Sequence, residues 1–196
     1  MENNVKQAYP LILASASPRR IELLTQLGWA FSVQAADIDE AVLANETPEQ
    51  LVRRLAEQKA ALIYRQQTDA NSAVLGSDTI VVCQGQILGK PKDQADSQRM
   101  LQLLSAKQHR VMTAVCLYYQ DQPHTELVTT QVKCCAISMQ QMSDYWASGE
   151  PCDKAGSYAI QGIGGKFVEA IEGSYSSVVG LPLVETDRLL HCYLTC

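Results

Sequence analysis

The sequence predicts an α/β chain in which strand-like runs alternate with helical stripes, and three stretches predict it. Leu11, Ile12 and Leu13 form a short apolar run, followed by the small residues Ala14, Ser15 and Ala16. Ser17 then stands as an N-cap with Pro18 at the first helical position, and Ile21, Leu23, Leu24 and Leu27 recur at helical spacing. That is strand, tight loop, helix. Thr47-Pro48-Glu49-Gln50 is a capping box opening a helix to about Gln66. Val111, Thr113, Val115, Leu117 and Tyr119 alternate as a strand; Gln120 to Pro123 turns, and Leu127 to Ile137 returns as its partner.

The remaining elements follow in order. Gly28 ends the first helix, and Phe31, Val33 and Ala35 alternate as a strand. Ala73 to Val82 is strand-like but interrupted by Gly76-Ser77-Asp78-Thr79. Gln84-Gly85 turns into a short strand at Ile87-Leu88, and Asp93 caps a helix carrying Met100, Leu101 and Leu104. Ser138 caps a helix through Tyr145 and Trp146 that Gly149 closes. Phe167 to Ile171 is a strand, and Leu181-Pro182 precedes a terminal amphipathic helix with Leu183, Leu189 and Leu190.

A chain of 196 residues suits one domain, or two small lobes around one cleft, with the first nine residues a flexible tail. The net charge of -5 argues against a nucleic-acid partner held by a broad basic surface. No apolar run approaches a membrane span, and the polar N-terminus lacks a signal-peptide core, so a cytoplasmic location without a membrane partner is expected. The seven cysteines are scattered without a C-x-x-C, which suits reduced thiols better than disulfides or zinc.

Five features carry chemistry. Arg19 and Arg20 sit in a first helical turn, where the helix dipole prefers acids. They are either a solvated pair or half of a phosphate site completed by backbone N–H groups. Asp37, Asp39 and Glu40 follow a strand, as a solvated turn or as site acids. Leu51, Leu55 and Leu62 fall together on the helix, with Val52 and Ile63 at the edge, and Lys59 lands between Leu55 and Val52 inside this apolar stripe, so it either snorkels out or reaches a polar cavity. Asp78, flanked by apolar strand pieces, is the foremost candidate for a catalytic or Mg²⁺-binding acid, against an Asx-turn role. Lys90, before Pro91, is held in an extended loop close in sequence to Asp78. A further stretch, Asp153 to Gly165, has four glycines and could pass its backbone against a flat ligand, but it is neither a P-loop nor a dinucleotide fingerprint.

SASPRR after the first strand, GSDT, GKP and DKAGSYAIQGIGGKFVEAIEGSYSSVVGLPL, in that order over almost the whole chain, resemble the Maf family of nucleoside triphosphate pyrophosphatases. The resemblance implies an inosine-triphosphatase-like fold, with a long mixed sheet flanked by helices and two lobes around a nucleotide cleft. It implies Asp78 as general base, and Ser15, Arg20, Glu40, Lys59 and Lys90 around the phosphates and metal. On physical grounds Glu40 with Asp78 could hold the metal, directly or through water, so Asp78 is read as base, metal ligand or both. Arg19, Thr79 and Gln161 match the positions that distinguish the dTTP/UTP branch, whereas the 7-methyl-GTP branch carries Trp, Gln and Glu there. The implied reaction is hydrolysis of dTTP, UTP or base-modified pyrimidine triphosphates to monophosphate and pyrophosphate, with Mg²⁺ or Mn²⁺ as cofactor. A homodimer is one assembly the resemblance leaves open. Two other outcomes stay in view: a nucleotide sensor affecting cell division without turnover, and a 7-methyl-GTP pyrophosphatase.

Overall fold

Three parallel strands begin the chain. β1 (Leu11–Leu13) pairs with β2 (Phe31–Val33) on one side and β3 (Ala73–Cys83) on the other. Parallel neighbours need crossovers, and the helices α1 (Pro18–Gln26) and α2 (Pro48–Tyr64) supply them. A strand flanked on both sides in a parallel arrangement is covered on both faces, which is why β1 reads as an unbroken apolar run with all three residues buried. In the computed structural model the described residues are 7–69 and 71–195.

The rest of the sheet adds antiparallel pairs. β4 (Gln86–Leu88) folds back on β3, with Val81 opposite Leu88. β5 (Gln108–Tyr119) and β6 (Gln122–Cys134) form the long hairpin, and β7 (Val168–Glu172) pairs antiparallel with β6. The order is β2-β1-β3-β5-β6-β7, with β4 on β3, so the expected mixed sheet is present. The hairpin turn is tighter than the sequence predicts. Gln120 and Asp121 both take positive φ, 49° and 60°, the conformation that matches the twist of a two-residue hairpin. Pro123 therefore lies in β6 rather than in the turn.

The helices after β4 are α3 (Gln94–Leu104), α4 (Met139–Ala147), the short α5 (Tyr175–Val179) and α6 (Leu183–Leu194). Three 3₁₀ turns, Glu150–Asp153, Ala155–Ser157 and Ile163–Phe167, shape the segment after α4. Among the described residues, no helix is long and apolar enough to cross a membrane.

The chain divides into two compact units. The first takes the chain up to Asp78, Thr113–Val128 and the stretch from Gly180. Its core includes Leu13, Leu24, Val52, Ile63, Leu75 and Leu190, each almost fully buried. The second comprises Thr79–Met112 and Thr129–Val179, and packs Val81, Leu88, Met100, Leu104, Tyr145 and Phe167 into one core. Of the tail expected over the first nine residues, residues 1–6 lie outside the described residues. Gln7 bridges to Thr195, the Ala8 N–H donates to Leu194 at 2.9 Å, and the Tyr9 ring sits 5.0 Å from that of Tyr119.

One local expectation is corrected. The GSDT stretch does not interrupt its strand: β3 runs unbroken through it. Gly76 is there because α2 passes against the strand. A Cβ at Gly76 would lie 2.4 Å from the Ala56 carbonyl oxygen and 2.8 Å from the Ala60 nitrogen. Only a residue without a side chain lets the two backbones come this close.

Candidate active site

The close approach of α2 to β3 puts Lys59 beside Asp78. α2 opens on the capping box: Gln50 N–H donates to the Thr47 hydroxyl at 3.2 Å, and Thr47 N–H to the Gln50 side chain at 2.9 Å. The helix then buries Leu51, Val52, Leu55, Ala56, Ala60 and Ile63, and Lys59 goes in with them at 8% exposure. Its ammonium donates to Asp78 Oδ1 at 2.6 Å and reaches Glu40 Oε1 at 2.6 Å. Lys59 therefore does not snorkel out to solvent; its ammonium is turned in to the two carboxylates.

Asp78 is only 6% exposed. Burial pushes its carboxyl above the ordinary value, although Lys59 and then Arg20 pull the other way. Glu40, by contrast, stands at the surface, with its side chain 47% exposed. The acidic stretch is thus split: Glu40 turns to Lys59, while Asp39 accepts the Ala41 N–H at 2.9 Å and serves the loop itself.

That loop is fastened to α2 by an ion pair. Arg54 donates Nε to Glu46 Oε1 at 2.6 Å and Nη2 to Glu46 Oε2 at 2.9 Å, and Nη2 also donates to the Ala41 carbonyl at 2.9 Å. Glu46 in turn accepts the Leu43 N–H at 3.0 Å. The Arg54 hydrogen bond holds the Glu46 carboxyl down at about 2. α2 therefore carries Lys59 and also anchors the loop that brings Glu40 to it. Arg54 and Glu46 were not legible as site residues, because both lie off the apolar stripe and look like ordinary surface charges.

Arg20 is set by a different device. Its Nε donates to the Gly180 carbonyl at 2.9 Å, and the same carbonyl accepts the Ser77 hydroxyl at 3.1 Å. Ser77, fully buried, also donates to the Ala114 carbonyl at 2.9 Å. Burial lowers the Arg20 pKa, with Asp78 opposing and Arg19 adding to it. The field of Asp78 at Arg20 places the two in one electrostatic neighbourhood. Ser15 is buried, and its hydroxyl accepts the Ser17 N–H at 3.1 Å. Ser17 has the extended backbone of an N-cap, but its side chain makes no capping hydrogen bond, so the cap expected from the sequence is only half realised.

The first unit thus brings Glu40, Lys59 and Asp78 into contact, places Arg20 in the field of both acids, and holds Ser15 and Arg19 at the α1 entrance. The other three candidates belong to the second unit. Thr79 is half-buried on β3, while Lys90 and Gln161 are exposed on loops. Among the described residues, no three His, Cys, Asp or Glu side chains converge as a ready-made metal cage. Two carboxylates that share one ammonium do suit Mg²⁺, which takes one or two carboxylates and fills its remaining positions with substrate oxygens and water.

The family model for Maf-like proteins matches residues 10–193. The chain belongs to the Maf family. Three curated relatives share one description. The dTTP/UTP pyrophosphatase of Vibrio vulnificus (strain YJ016) is 53% identical over 190 residues, covering 95% of this chain and 100% of the relative. The dTTP/UTP pyrophosphatase of Pseudoalteromonas atlantica is 56% identical over 182 residues, covering 92% and 95%. The dTTP/UTP pyrophosphatase of Shewanella sp. (strain MR-7) is 56% identical over 186 residues, covering 92% and 96%. Among solved structures, the Staphylococcus aureus Ham1 protein is a partial likeness, with a TM-score of 0.44 and 14% identity over 64% of this chain and 70% of that one.

Proposed function

We propose that the chain is a nucleoside triphosphate pyrophosphatase that hydrolyses dTTP and UTP to the monophosphate and pyrophosphate. The observation that carries the reading is the buried Lys59 ammonium bridging Glu40 and Asp78. It stands in a Maf-family chain more than half identical, over nearly its whole length, to relatives named for that reaction.

The reaction asks for positioning and charge neutralisation rather than covalent chemistry. Arg20, Lys59 and Lys90 serve as cations for the triphosphate, and the amides near Ser15 as further donors. Asp78 orients the attacking water and takes its proton. Burial raises its pKa, which makes it a stronger base than a solvated aspartate, while Lys59 opposes the shift and fixes the direction of the carboxyl. Glu40 and Asp78 would hold Mg²⁺, whose contribution when bound is to neutralise phosphate charge. Arg19, Thr79 and Gln161 set the preference for a pyrimidine base, Thr79 and Gln161 by offering donors and acceptors to its polar edge. We place the enzyme in the cytoplasm, where its six free cysteines among the described residues stay reduced. Neither nucleic acid nor membrane enters this reading, and assembly as a homodimer is part of the proposal.

Product analysis with dTTP, UTP, CTP, dGTP and 7-methyl-GTP, each with Mg²⁺, tests the proposal. Monophosphate and pyrophosphate from dTTP and UTP is the expected outcome. The same products chiefly from 7-methyl-GTP would overturn the base preference, and diphosphate with inorganic phosphate would overturn the reaction. Tight binding without turnover would make the chain a sensor.

A further inference from the structure

The glycine-rich loop of the second unit is built around one carboxylate. Glu150 follows α4, and its Oε1 accepts the Tyr145 hydroxyl at 2.7 Å and the Gly164 N–H at 2.9 Å. Its Oε2 accepts the Ile163 N–H at 2.8 Å. The Tyr145 hydroxyl also accepts the Ala159 N–H at 3.1 Å. The loop is thus gripped at Ala159 by Tyr145 and at Ile163 and Gly164 by Glu150, and Gln161 lies between the two grips.

The glycines follow from this arrangement. A Cβ at Gly162 would lie 2.2 Å from Glu150 Oε2, and one at Gly164 would lie 2.5 Å from the Tyr145 hydroxyl oxygen. The backbone wraps directly onto the two side chains. The grip itself is rigid. Tyr145 is 1% exposed, and its ring meets that of Phe167 edge-on, with centroids 5.2 Å apart. α4 is fixed at its start by the Ser138–Gln141 capping box. Burial alone would raise the Glu150 pKa, but the donors from Gly164, Tyr145 and Ile163 together outweigh it and lower the value.

We infer that Glu150, oriented by Tyr145, is a positioning residue for Gln161, fixing the loop that presents this side chain to the base and so sharpening the preference among nucleotides. The inference rests on the reading of Gln161 as a specificity residue given under Proposed function. In Glu150→Gln the amide can replace one oxygen but turns an NH₂ toward a backbone donor, so one grip is lost while the size is kept.

The experiment measures kcat and KM for dTTP, UTP, CTP and 7-methyl-GTP with the wild type, Glu150→Gln, Tyr145→Phe, Gln161→Ala and the Glu150→Gln/Gln161→Ala double variant. Amide hydrogen exchange at Ile163 and Gly164 reports the loop directly. Glu150→Gln is expected to speed exchange at both amides and to narrow the preference for dTTP over CTP roughly tenfold. The double variant should show the same preference as Gln161→Ala alone, because Glu150 acts only through that side chain. Faster exchange with an unchanged preference would overturn the inference, as would full additivity in the double variant. Should Glu150→Gln fail to fold, Tyr145→Phe loosens the Ala159 end and is held to the same two outcomes. If the wild type turns over none of the nucleotides, the proposed function fails. The inference is then judged on dissociation constants for the same panel, where an unchanged order of affinities in the variants overturns it.

Discussion

Two carboxylates organise two regions of this molecule, and they are held by different means. Asp78 is surrounded by cations, with the Lys59 ammonium at 2.6 Å and Arg20 acting through its field. Glu150 is hydrogen-bonded by neutral donors, two backbone N–H groups and a phenol, with Lys154 adding a smaller effect through its field. Burial dominates at Asp78 and pushes its pKa up, whereas at Glu150 the donors win and pull it down. Backbone amides are fixed dipoles that do one thing: hold a loop. A lysine that also touches Glu40 can exchange partners when an anion or a cation arrives. On the proposed function, Asp78 is the carboxylate arranged for chemistry and Glu150 the one arranged for shape.

The contrast can be broken first at the level of rate. Asp78→Asn should cost about 10²–10⁴-fold in turnover of dTTP, the scale of a lost general base, in a steady-state assay. Comparable turnover in the variant would remove Asp78 from the chemistry and leave it a structural acid like Glu150.

The glycines sharpen it next. Gly76 faces rigid helix backbone, so Gly76→Ala should destabilise by about 1–3 kcal/mol or more, read as a lowered midpoint in thermal unfolding. Gly162 faces the end of a side chain, so Gly162→Ala should cost less stability while disturbing the Gln161 loop. An equal loss in both would erase the distinction.

The pH dependence of stability should then carry opposite signs. For Asp78 the folded pKa is raised, so its contribution is fully present below the ordinary value of 3.8 and is lost as pH rises through the folded value. For Glu150 the folded pKa is lowered, so its contribution is present above the ordinary 4.5 and is lost as pH falls through the folded value. Urea unfolding of Asp78→Asn and Glu150→Gln beside the wild type should show stability differences that slope in opposite directions with pH. Parallel slopes would contradict the assignment.

The smallest effect belongs to Glu46. Its carboxyl sits at about 2, so its contribution is present above the ordinary 4.5 and fades as pH falls toward 2. Glu46→Gln should flatten acid unfolding in that window only, with neutral-pH stability changed slightly.

Much of this was legible before any coordinates. The capping box at Thr47 and the cap at Ser138 rest on local patterns, and both helices start where those patterns say, while the strand read from Val111–Tyr119 begins three residues earlier, at Gln108. Lys59 and Asp78 stood out because a charge in an apolar stripe or strand needs a partner, and each supplies the other's. The continuity of β3 through Gly76 was not legible, because the reason for the glycine is a helix some twenty residues earlier in sequence. The roles of Ser77, Arg54 and Glu150 escaped for the same reason: their partners are a carbonyl, a loop and backbone amides that only the fold brings near. The glycine-rich stretch could have passed its backbone against a flat ligand, but the space beside Gly162 and Gly164 is filled by Glu150 and Tyr145.

The most direct test of the central claim is hydrolysis of dTTP in ¹⁸O-labelled water with Mg²⁺, followed by mass spectrometry of the products. Attack of an Asp78-oriented water on the α-phosphorus predicts the label in dTMP and unlabelled pyrophosphate. Label in pyrophosphate, or in released inorganic phosphate, would contradict the account.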